Sequence, residues 1–444
     1  MTAVAPDREN TESDITADAA AEGRTTEQPE RAGFRDVFGI PEFRALWAAQ
    51  LASVVGDQLA RVALTVLVYA RTASALLAAV TFVASVVPLF IGGVTLGGLA
   101  DRFPRRTVMI TCDLLRGALV LLMVVPRLPI PALVVMLFVV TLISGPFTAA
   151  RSALVPDVLE GERYVLGQTV TMTTMQFAQV IGFGAGGAIA GFLGTRPSLA
   201  IDAMTYALSA LIVAVFVRRR PAPLRETSVG AGATAAGRPQ GGLWGAAGFV
   251  FAAPALLLPM LFGWLSAFYN VAEGVAAPLA RSMGGGAAMV GLILAAQVLG
   301  EAVGMTVFGR LVPPAVRRRW MGPLAIATCA VLVAFAAEPH PGLTLLVLAA
   351  SGVFGGYQVQ ASASFVSAVP AEMRGAAFGL AQGGMSLGQG AVMIVAGAAA
   401  GSFAPAAVVA VTGAIGAVCA VAIAVSWAQP RGRDGSPSAD VRRT

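Results

Sequence analysis

The amino-acid sequence predicts an all-α membrane protein with about twelve transmembrane helices in two pseudo-symmetric halves of six, both termini being cytoplasmic. Of its 444 residues, 57% are hydrophobic and only 12% are charged, whereas roughly a quarter are charged in a soluble domain. Uncharged runs of about 20 residues, the length that spans a bilayer, recur almost end to end after position 40. A weak internal repeat, in which glycine and arginine follow the second and the eighth apolar runs, indicates duplicated halves.

The first half of the chain contains a tail and six apolar segments. Residues 1–38 are polar and acidic and lack the apolar centre of a signal peptide, so we expect a disordered cytoplasmic tail. Residues 39–217 form the first six-helix half. Its predicted spans lie at residues 43–70, 76–100, 107–125, 130–149, 167–192 and 198–217.

A linker separates this half from the second. Residues 218–243 are rich in Gly, Pro, Ala and Arg and have no periodicity, which predicts a cytoplasmic linker. Residues 244–428 form the second six-helix half, and residues 429–444 are expected to be a disordered tail. The predicted spans of this half lie at residues 254–280, 287–309, 320–337, 342–368, 375–401 and 404–428.

Arginine placement predicts the orientation of the chain. All 30 residues of the Lys and Arg set are arginine, and most fall in the termini, the linker and alternate loops such as 102–106 and 310–319. The positive-inside rule places these segments in the cytoplasm, for a multi-pass protein of the cell inner (plasma) membrane. The net charge of +6 follows this topology, so we expect the lipid bilayer as a partner and no nucleic acid.

Missing residue types exclude several classes of enzyme. A P-loop needs a lysine, which the chain lacks, and the single histidine, His340, lies in a predicted external turn. The three cysteines have no paired spacing, so we expect neither a disulfide framework nor a metal site. The sequence therefore predicts no enzyme activity and no cofactor. A membrane-embedded hydrolase is the enzymatic alternative, and it would need a second catalytic carboxylate to act with Asp57.

The loop after the second span carries the most specific motif. It reads Gly97-Gly-Leu-Ala-Asp101-Arg102-Phe-Pro-Arg105-Arg106. An aspartate at a helix end and a short basic turn can form charge-assisted hydrogen bonds that hold neighbouring helices together and break when the helices move. We therefore predict a cytoplasmic gating loop made of these five named residues.

This loop resembles the signature of the major facilitator superfamily between its second and third spans, with Pro104 in place of a glycine. Together with residues 43–47, 56–57, 112–116 and 150–157, it makes residues 40–430 similar to drug:proton antiporters of the macrolide-efflux type. The resemblance implies a monomer that exports drug-like or natural-product small molecules by proton antiport with alternating access, a multidrug-efflux activity that confers antibiotic resistance. A siderophore or other metabolite exporter and a proton-coupled importer stay open as alternatives.

A polar stripe runs along the first span. Gln50, Ser53, Asp57 and Arg61 are three or four residues apart and share one face of the helix. A charge at the bilayer centre costs about 2.5–3.5 kcal/mol, so such residues normally face a cavity or a partner. We predict that Asp57 carries a coupling proton and that Arg61, one turn away, pairs with it. A neutral scaffold pair without a transport role is the alternative.

Further polar residues complete the predicted site. Glu273 and Glu301 are the acidic residues inside spans of the second half and are candidates for proton coupling or for an interhelical hydrogen bond. The resemblance implies that the first, fourth, seventh and tenth helices line the substrate cavity, with Gln50 and Ser53 on the first. The remaining cavity candidates are Thr148, Ser266, Asn270, Tyr357 and Gln360.

Two other intramembrane acids receive structural interpretations from the sequence. Asp202 lies close to the outer end of the sixth span, where a first-turn carboxylate costs little, so we expect a helix-capping role. Asp113 and Arg116 are three residues apart in the third span, and we expect a structural pair near the cytoplasmic side.

Overall fold

The structure is a computed structural model that describes residues 33–221, 242–370 and 373–428, with only the backbone given for 242–246. The predicted tails at 1–38 and 429–444 and the linker at 218–243 lie wholly or largely outside the described residues. Over the part of the chain that is described, helices and the turns between them make up the whole fold, and strands are absent.

Twelve long helices, here α1 to α12, correspond in order to the twelve predicted spans. A short helix, Phe34–Phe38, precedes α1, and another, Gly242–Ala252, precedes α7. The first half contains α1 (Pro41–Thr72), α2 (Ala75–Arg102), α3 (Arg105–Met123), α4 (Ile130–Val158), α5 (Gly161–Phe192) and α6 (Thr195–Phe216). The second contains α7 (Pro254–Gly274, continued by Ala276–Ser282), α8 (Ala287–Leu311), α9 (Pro314–Ala337), α10 (Pro341–Ala368), α11 (Arg374–Ala399) and α12 (Pro405–Ala428).

Ten of these helices are long and apolar enough to cross a membrane. The other two, α3 and α11, are long enough, with 19 and 26 residues, but they contain too many polar residues. Four charged side chains lie on α3, and α11 is rich in glycine, serine and glutamine. The fold is that of an all-α membrane protein, and the plan of six plus six is consistent with it.

Small residues allow the two halves to approach closely. Gly187 of α5 faces Gly291 of α8, where an added Cβ would come within 2.7 Å of the opposite Cα. Gly397 of α11 faces Ala79 of α2, and a Cβ there would lie 2.5 Å from the alanine Cβ. Close backbone approach through small residues is the usual way in which membrane helices pack. Both contacts lie at the helix ends nearest the 72–75, 282–287 and 399–405 turns.

The opposite end of the first half is tied by an ion pair. Arg220, just beyond α6, donates from Nη2 to Glu42 Oε2 at 3.0 Å, and its Nη1 donates to the other carboxylate oxygen of Glu42 at the start of α1. This hydrogen-bonded pair raises the pKa of the Arg220 guanidinium above its ordinary value. The chain that leaves α6 is therefore fastened to the helix that opens the half.

Candidate functional site

The stripe on α1 faces a cavity inside the first half. The cavity has a volume of about 160 Å³. Side chains from α1, α2, α3, α4 and α6 line it, so it lies within one half and not between the two. Among the predicted site residues, those in its wall are Gln50, Ser53, Asp57, Arg61 and Thr148.

Asp57 is bound by a tyrosine that the sequence analysis did not single out. The hydroxyl of Tyr206 on α6 donates a short hydrogen bond to Asp57 Oδ1, and Tyr206 is fully buried. A hydroxyl that donates to a carboxylate stabilises its ionised form. The charges of Arg116 and Arg61 also lie within electrostatic range of Asp57. The structure thus gives Asp57 one direct donor and two cationic neighbours.

The predicted contact between Asp57 and Arg61 does not form. The ion pairs found within the described ranges do not include either residue. Arg61 donates instead from Nη2 to the carbonyl oxygen of Ser85 at 3.1 Å. This carbonyl lies where α2 is interrupted, just before Pro88, so a backbone acceptor in the neighbouring helix takes the guanidinium that was expected to bind Asp57.

Aromatic rings hold Arg61 in that position. Its Cζ lies 5.5 Å from the ring centroid of Phe82 on α2 and 5.8 Å from that of Phe183 on α5. A guanidinium over an aromatic face gains cation–π attraction, which is larger where water is excluded. Phe82 and Phe183 belong to the core cluster that also contains residues of the second half. Arg61 therefore lies at the boundary between the halves.

Arg116 of α3 is the most strongly bound side chain of the site. It pairs with Asp113, and the two side chains are 2% and 0% exposed. Arg116 Nη1 donates to Ser144 Oγ on α4 at 3.0 Å, and Ser209 Oγ on α6 donates to Asp113 Oδ2 at 2.6 Å. The pair expected from the sequence is present, but it lies in mid-helix beside Asp57 and Tyr206, not near the cytoplasmic end.

Asp202 also departs from its predicted place. It is fully buried, lines the same cavity as Asp57, and lies seven residues inside α6 rather than at the cap. Gly56, the neighbour of Asp57, faces it so closely that a Cβ there would come within 2.3 Å of Asp202 Oδ1. The sequence did contain a signal for this, since Asp202, Tyr206 and Ser209 have the spacing of a second polar stripe.

Two polar residues of α7 bond to the neighbouring helices α8 and α11. Ser266 accepts a hydrogen bond from Gln389 Nε2 at 3.1 Å, and Asn270 Oδ1 accepts one from Gln297 Nε2 at 3.4 Å. Ser266 is 2% exposed. Two of the predicted polar positions are thereby joined to neighbouring helices by hydrogen bonds inside the half.

The two glutamates inside the spans of the second half, Glu273 and Glu301, lie within electrostatic range of each other. The carboxylate oxygen Oε1 of Glu301 is buried and has no hydrogen-bond partner. Glu273 also lies within electrostatic range of Arg61 in the first half. Both Asp57 of the first half and Glu273 of the second therefore attract the Arg61 guanidinium.

The tenth helix contributes less to a cavity than the sequence predicts. Tyr357 is fully buried in the core cluster of the second half, and its hydroxyl donates to the carbonyl oxygen of Phe262 at 2.9 Å. Gln360 bonds within its own helix, from Nε2 to Ser364 Oγ at 3.1 Å. The expectation that Tyr357 lines a cavity was wrong, because a large aromatic side chain beside glycines at 355 and 356 fills the helix interface instead.

The basic turn after α2 does bind neighbouring helices. Arg105 donates to Asp157 Oδ2 at 2.6 Å and to the carbonyl oxygen of Ala153 at 2.8 Å, both on α4. Arg106 donates to the carbonyl oxygen of Ala214 on α6. A Cβ on Gly97 would lie 2.3 Å from the Gly93 carbonyl oxygen, so that position accepts only glycine in this geometry.

The acidic residue that pairs with this basic turn is not the Asp101 that the sequence predicts. Asp101 and Arg102 are exposed, and neither takes part in the ion pairs found among the described residues. Asp157, at the end of α4, pairs with Arg105 instead.

Comparison with known proteins gives a family match over most of the chain. The sequence model described as Major Facilitator Superfamily matches residues 46–276 and 274–443. One relative from Bacillus subtilis (strain 168), described as an uncharacterized MFS-type transporter, YkuC, is 24% identical over 184 residues. That match covers 40% of this chain and 42% of the length of the relative.

Solved structures match the fold over nearly its whole length. The POT family transporter PepTSo aligns with a TM-score of 0.65 at 13% identity, covering 87% of this chain and 97% of the other. A D-xylose-proton symporter aligns with a TM-score of 0.65 at 14% identity and with the same two coverages. At such identities these structures indicate a common fold alone.

Proposed function

The chain belongs to the major facilitator superfamily, and on that premise we propose that it is a secondary active exporter of drug-like or natural-product small molecules, driven by proton antiport with alternating access. It is a membrane transporter and not an enzyme. One observation carries the proposal: a partly buried intramembrane carboxyl, Asp57, faces a small polar cavity beside two guanidinium groups and a tyrosine hydroxyl.

The size of that cavity favours protons over a substrate. Its volume of about 160 Å³ is below the roughly 300–1,000 Å³ of sites for drug-sized ligands. Intramembrane carboxyls are costly and mark ion or proton paths when they face a polar cavity. Three polar side chains of this cavity wall then hold water along the proton path, namely Gln50, Ser53 and Thr148. The substrate binds elsewhere, between the two halves.

Arg61 provides a connection between the proton site and the movement of the halves. Its guanidinium lies within electrostatic range of both Asp57 of the first half and Glu273 of the second. When Asp57 takes up a proton, it loses its charge, and Arg61 is then attracted by Glu273 alone. Proton binding thereby strengthens an attraction across the interface, which is the kind of differential interaction that a conformational change requires.

The interface has the properties that such a movement needs. Two seams of small residues, α2 with α11 and α5 with α8, join the halves near one end. In transporters built from repeats, alternating access is largely rocking of one repeat against the other around a central site. The opposite ends carry the ion pairs Arg105 with Asp157 and Arg220 with Glu42, each of which stays within the first half.

The first experiment identifies substrate and direction. The chain is expressed in a bacterial host that lacks its own drug pumps, and susceptibility and accumulation are measured over a chemically diverse panel of antibiotics, dyes and siderophores. We expect raised resistance and lowered accumulation of lipophilic neutral or cationic compounds. Increased accumulation of a panel compound would contradict export and support a proton-coupled importer, and an effect limited to siderophores would replace the substrate class.

A further inference from the structure

Asp202 has no role in the mechanism above, although it lines the same cavity as Asp57. We propose that Asp57 of α1 and Asp202 of α6 form one two-carboxyl site that holds a single proton between them. Because the Asp202 carboxyl accepts a weaker hydrogen bond than the Asp57 carboxyl, Asp202 keeps the proton while Asp57 is ionised. That this proton is the one exchanged during transport rests on the proposed function, whereas its presence at the pair does not.

Burial and missing contacts indicate that Asp202 is neutral while Asp57 is ionised. Asp202 is 0% exposed, and its Oδ2 is buried without a hydrogen-bond partner. Its Oδ1 accepts only a long hydrogen bond from Thr205 Oγ1, at 3.4 Å. An ionised carboxylate buried with so few donors is costly, and in practice such a group takes up a proton instead. Asp202 lines the cavity of about 160 Å³, which has room for a few water molecules.

The charges around the two carboxyls also indicate that one proton is bound there. Asp57 and Arg61 of α1, Arg116 of α3 and Tyr206 of α6 line the cavity with Asp202, and Asp113 lies within electrostatic range of Asp57. Arg116 makes its ion pair with Asp113, and Arg61 bonds to a backbone carbonyl at the boundary of the halves. In the first half, the three carboxyls of Asp57, Asp113 and Asp202 therefore accompany two guanidinium groups, and one proton makes this set neutral. Glu273, which also attracts Arg61, belongs to the second half and is counted apart from it.

Asp57 and Asp202 differ in how well each can carry the negative charge. Asp57 receives the Tyr206 hydroxyl hydrogen bond, whereas Asp202 has only the weak contact from Thr205. The resting arrangement is then Asp57 ionised and Asp202 protonated. Transfer breaks the O–H bond on Asp202 and forms one on Asp57, so the total charge of the cavity is unchanged while the charge beside Arg61 disappears.

Gly56 positions the two carboxyls. A Cβ at this residue would lie 2.3 Å from Asp202 Oδ1 and 2.1 Å from Thr205 Oγ1, distances that real contacts do not reach. An alanine would force the Asp202 side chain to move while leaving both carboxyl groups in the protein. Gly184 on α5, where an added Cβ would meet nothing within 4 Å, is the matched control.

Infrared titration of the purified protein tests the pair directly. The carbonyl stretch of protonated carboxyl groups is recorded from acid to alkaline pH for the wild type and for Asp202→Asn, Asp57→Asn, Gly56→Ala and Gly184→Ala. At neutral pH we expect Asp202→Asn to lose the intensity of one protonated carboxyl. We expect Asp57→Asn to keep that band but to move its titration midpoint, because the coupled partner is gone.

Gly56→Ala is expected to shift the frequency of this band, and Gly184→Ala to leave it unchanged. A spectrum of Asp202→Asn equal to that of the wild type at every pH would show that Asp202 is ionised and would overturn the proposal. A midpoint of the Asp202 band that is the same with and without Asp57 would also overturn it, since the two groups would then titrate independently. If Asp202→Asn does not fold, the Gly56→Ala and Asp57→Asn spectra still decide.

The transport arm separates this inference from the proposed function. Proton-driven export is measured for the same variants in proteoliposomes, with a compound identified by the drug panel. We expect Asp202→Asn to lower coupled export at least tenfold and Gly184→Ala to leave it unchanged. A carboxyl pair detected by infrared spectroscopy without proton-driven export would support the pair and contradict antiport, whereas full export by Asp202→Asn would contradict the coupling role of Asp202.

Discussion

At the scale of single residues, the contacts of a charged group inside the first half depend on which acceptors its neighbouring helices offer. Arg61 is one turn from Asp57, yet it bonds to the Ser85 carbonyl and lies against two phenylalanine rings. Asp57 bonds to Tyr206, which is 149 residues away in the chain. Helical spacing alone identified the stripe on α1, but it could not identify partners that only the packing of α2 and α6 provides.

The hydrogen bond from Tyr206 gives a first prediction. Tyr206→Phe removes the hydroxyl and keeps the ring over Arg116, whose Cζ lies 4.5 Å from the ring centroid. A hydrogen bond to a charged group is worth about 1.5–3 kcal/mol, so we expect proton-driven export to fall roughly tenfold or more with normal amounts of protein in the membrane. Tyr164→Phe, on α5, is the control, and equal export by both variants would exclude this contact from the mechanism.

The position of Arg61 between two acids gives a second prediction. A double-mutant cycle with Arg61→Gln and Glu273→Gln measures their coupling in the rate of export. Because the two charges lie in different halves and within electrostatic range, we expect a non-additive effect of about 0.5–3 kcal/mol. Additive effects would mean that Arg61 acts only through Asp57 or through its backbone contact.

At the scale of helices, twelve long helices correspond in order to the predicted spans, and ten of them are long and apolar enough to cross a membrane. Polar residues account for the other two helices and for the misinterpreted positions. The helix α3 carries a buried ion pair, so its low hydropathy reflects an interior site. Residues of α6 were interpreted from their distance to the helix end, and the stripe of Asp202, Tyr206 and Ser209 was missed. On α10, the pattern of polar residues suggested a cavity wall, but Tyr357 packs into the core because its hydroxyl finds the Phe262 carbonyl.

The seam between α5 and α8 gives a prediction about stability. Gly187→Ala places a Cβ 2.7 Å from the Gly291 Cα, and the contact is with backbone, which cannot rotate away. Overpacking of this kind costs about 1–3 kcal/mol, so we expect a lower Tm and reduced export. In Gly191→Ala on the same helix the nearest atom would lie 3.6 Å away, and a Tm drop equal to that of Gly187→Ala would contradict the role of the seam.

At the scale of the whole molecule, small-residue seams join the two halves, and the cavity beside Asp57 lies inside the first half. The cytoplasmic loop signature predicted a latch, and the structure gives its arginines partners on α4 and α6. Its aspartate, Asp101, is exposed. The motif thus identified the arginines that bind neighbouring helices, whereas the acidic partner of Arg105 is Asp157 of α4.

The exposed Asp101, in the loop after α2, and the paired Asp157, at the end of α4, give a prediction about turnover. Asp157→Asn breaks an ion pair whose side chains are 23% and 40% exposed, and such surface pairs contribute about 0–1 kcal/mol. We expect little change in Tm for this variant. Asp101→Asn should slow export severalfold with an unchanged KM, because we propose that Asp101 acts when the halves move. A raised KM with normal turnover would contradict a gating role.

The most direct test of proton antiport is the movement of protons with substrate. Everted membrane vesicles containing the wild type or Asp57→Asn are energised to an acidic interior, and a compound from the drug panel is added while a pH-sensitive dye reports the gradient. We expect wild-type vesicles to take up the compound and to release protons. Vesicles with an equal amount of inserted Asp57→Asn should do neither. Uptake that persists without a proton gradient, or that is equal in the Asp57→Asn vesicles, would contradict proton antiport.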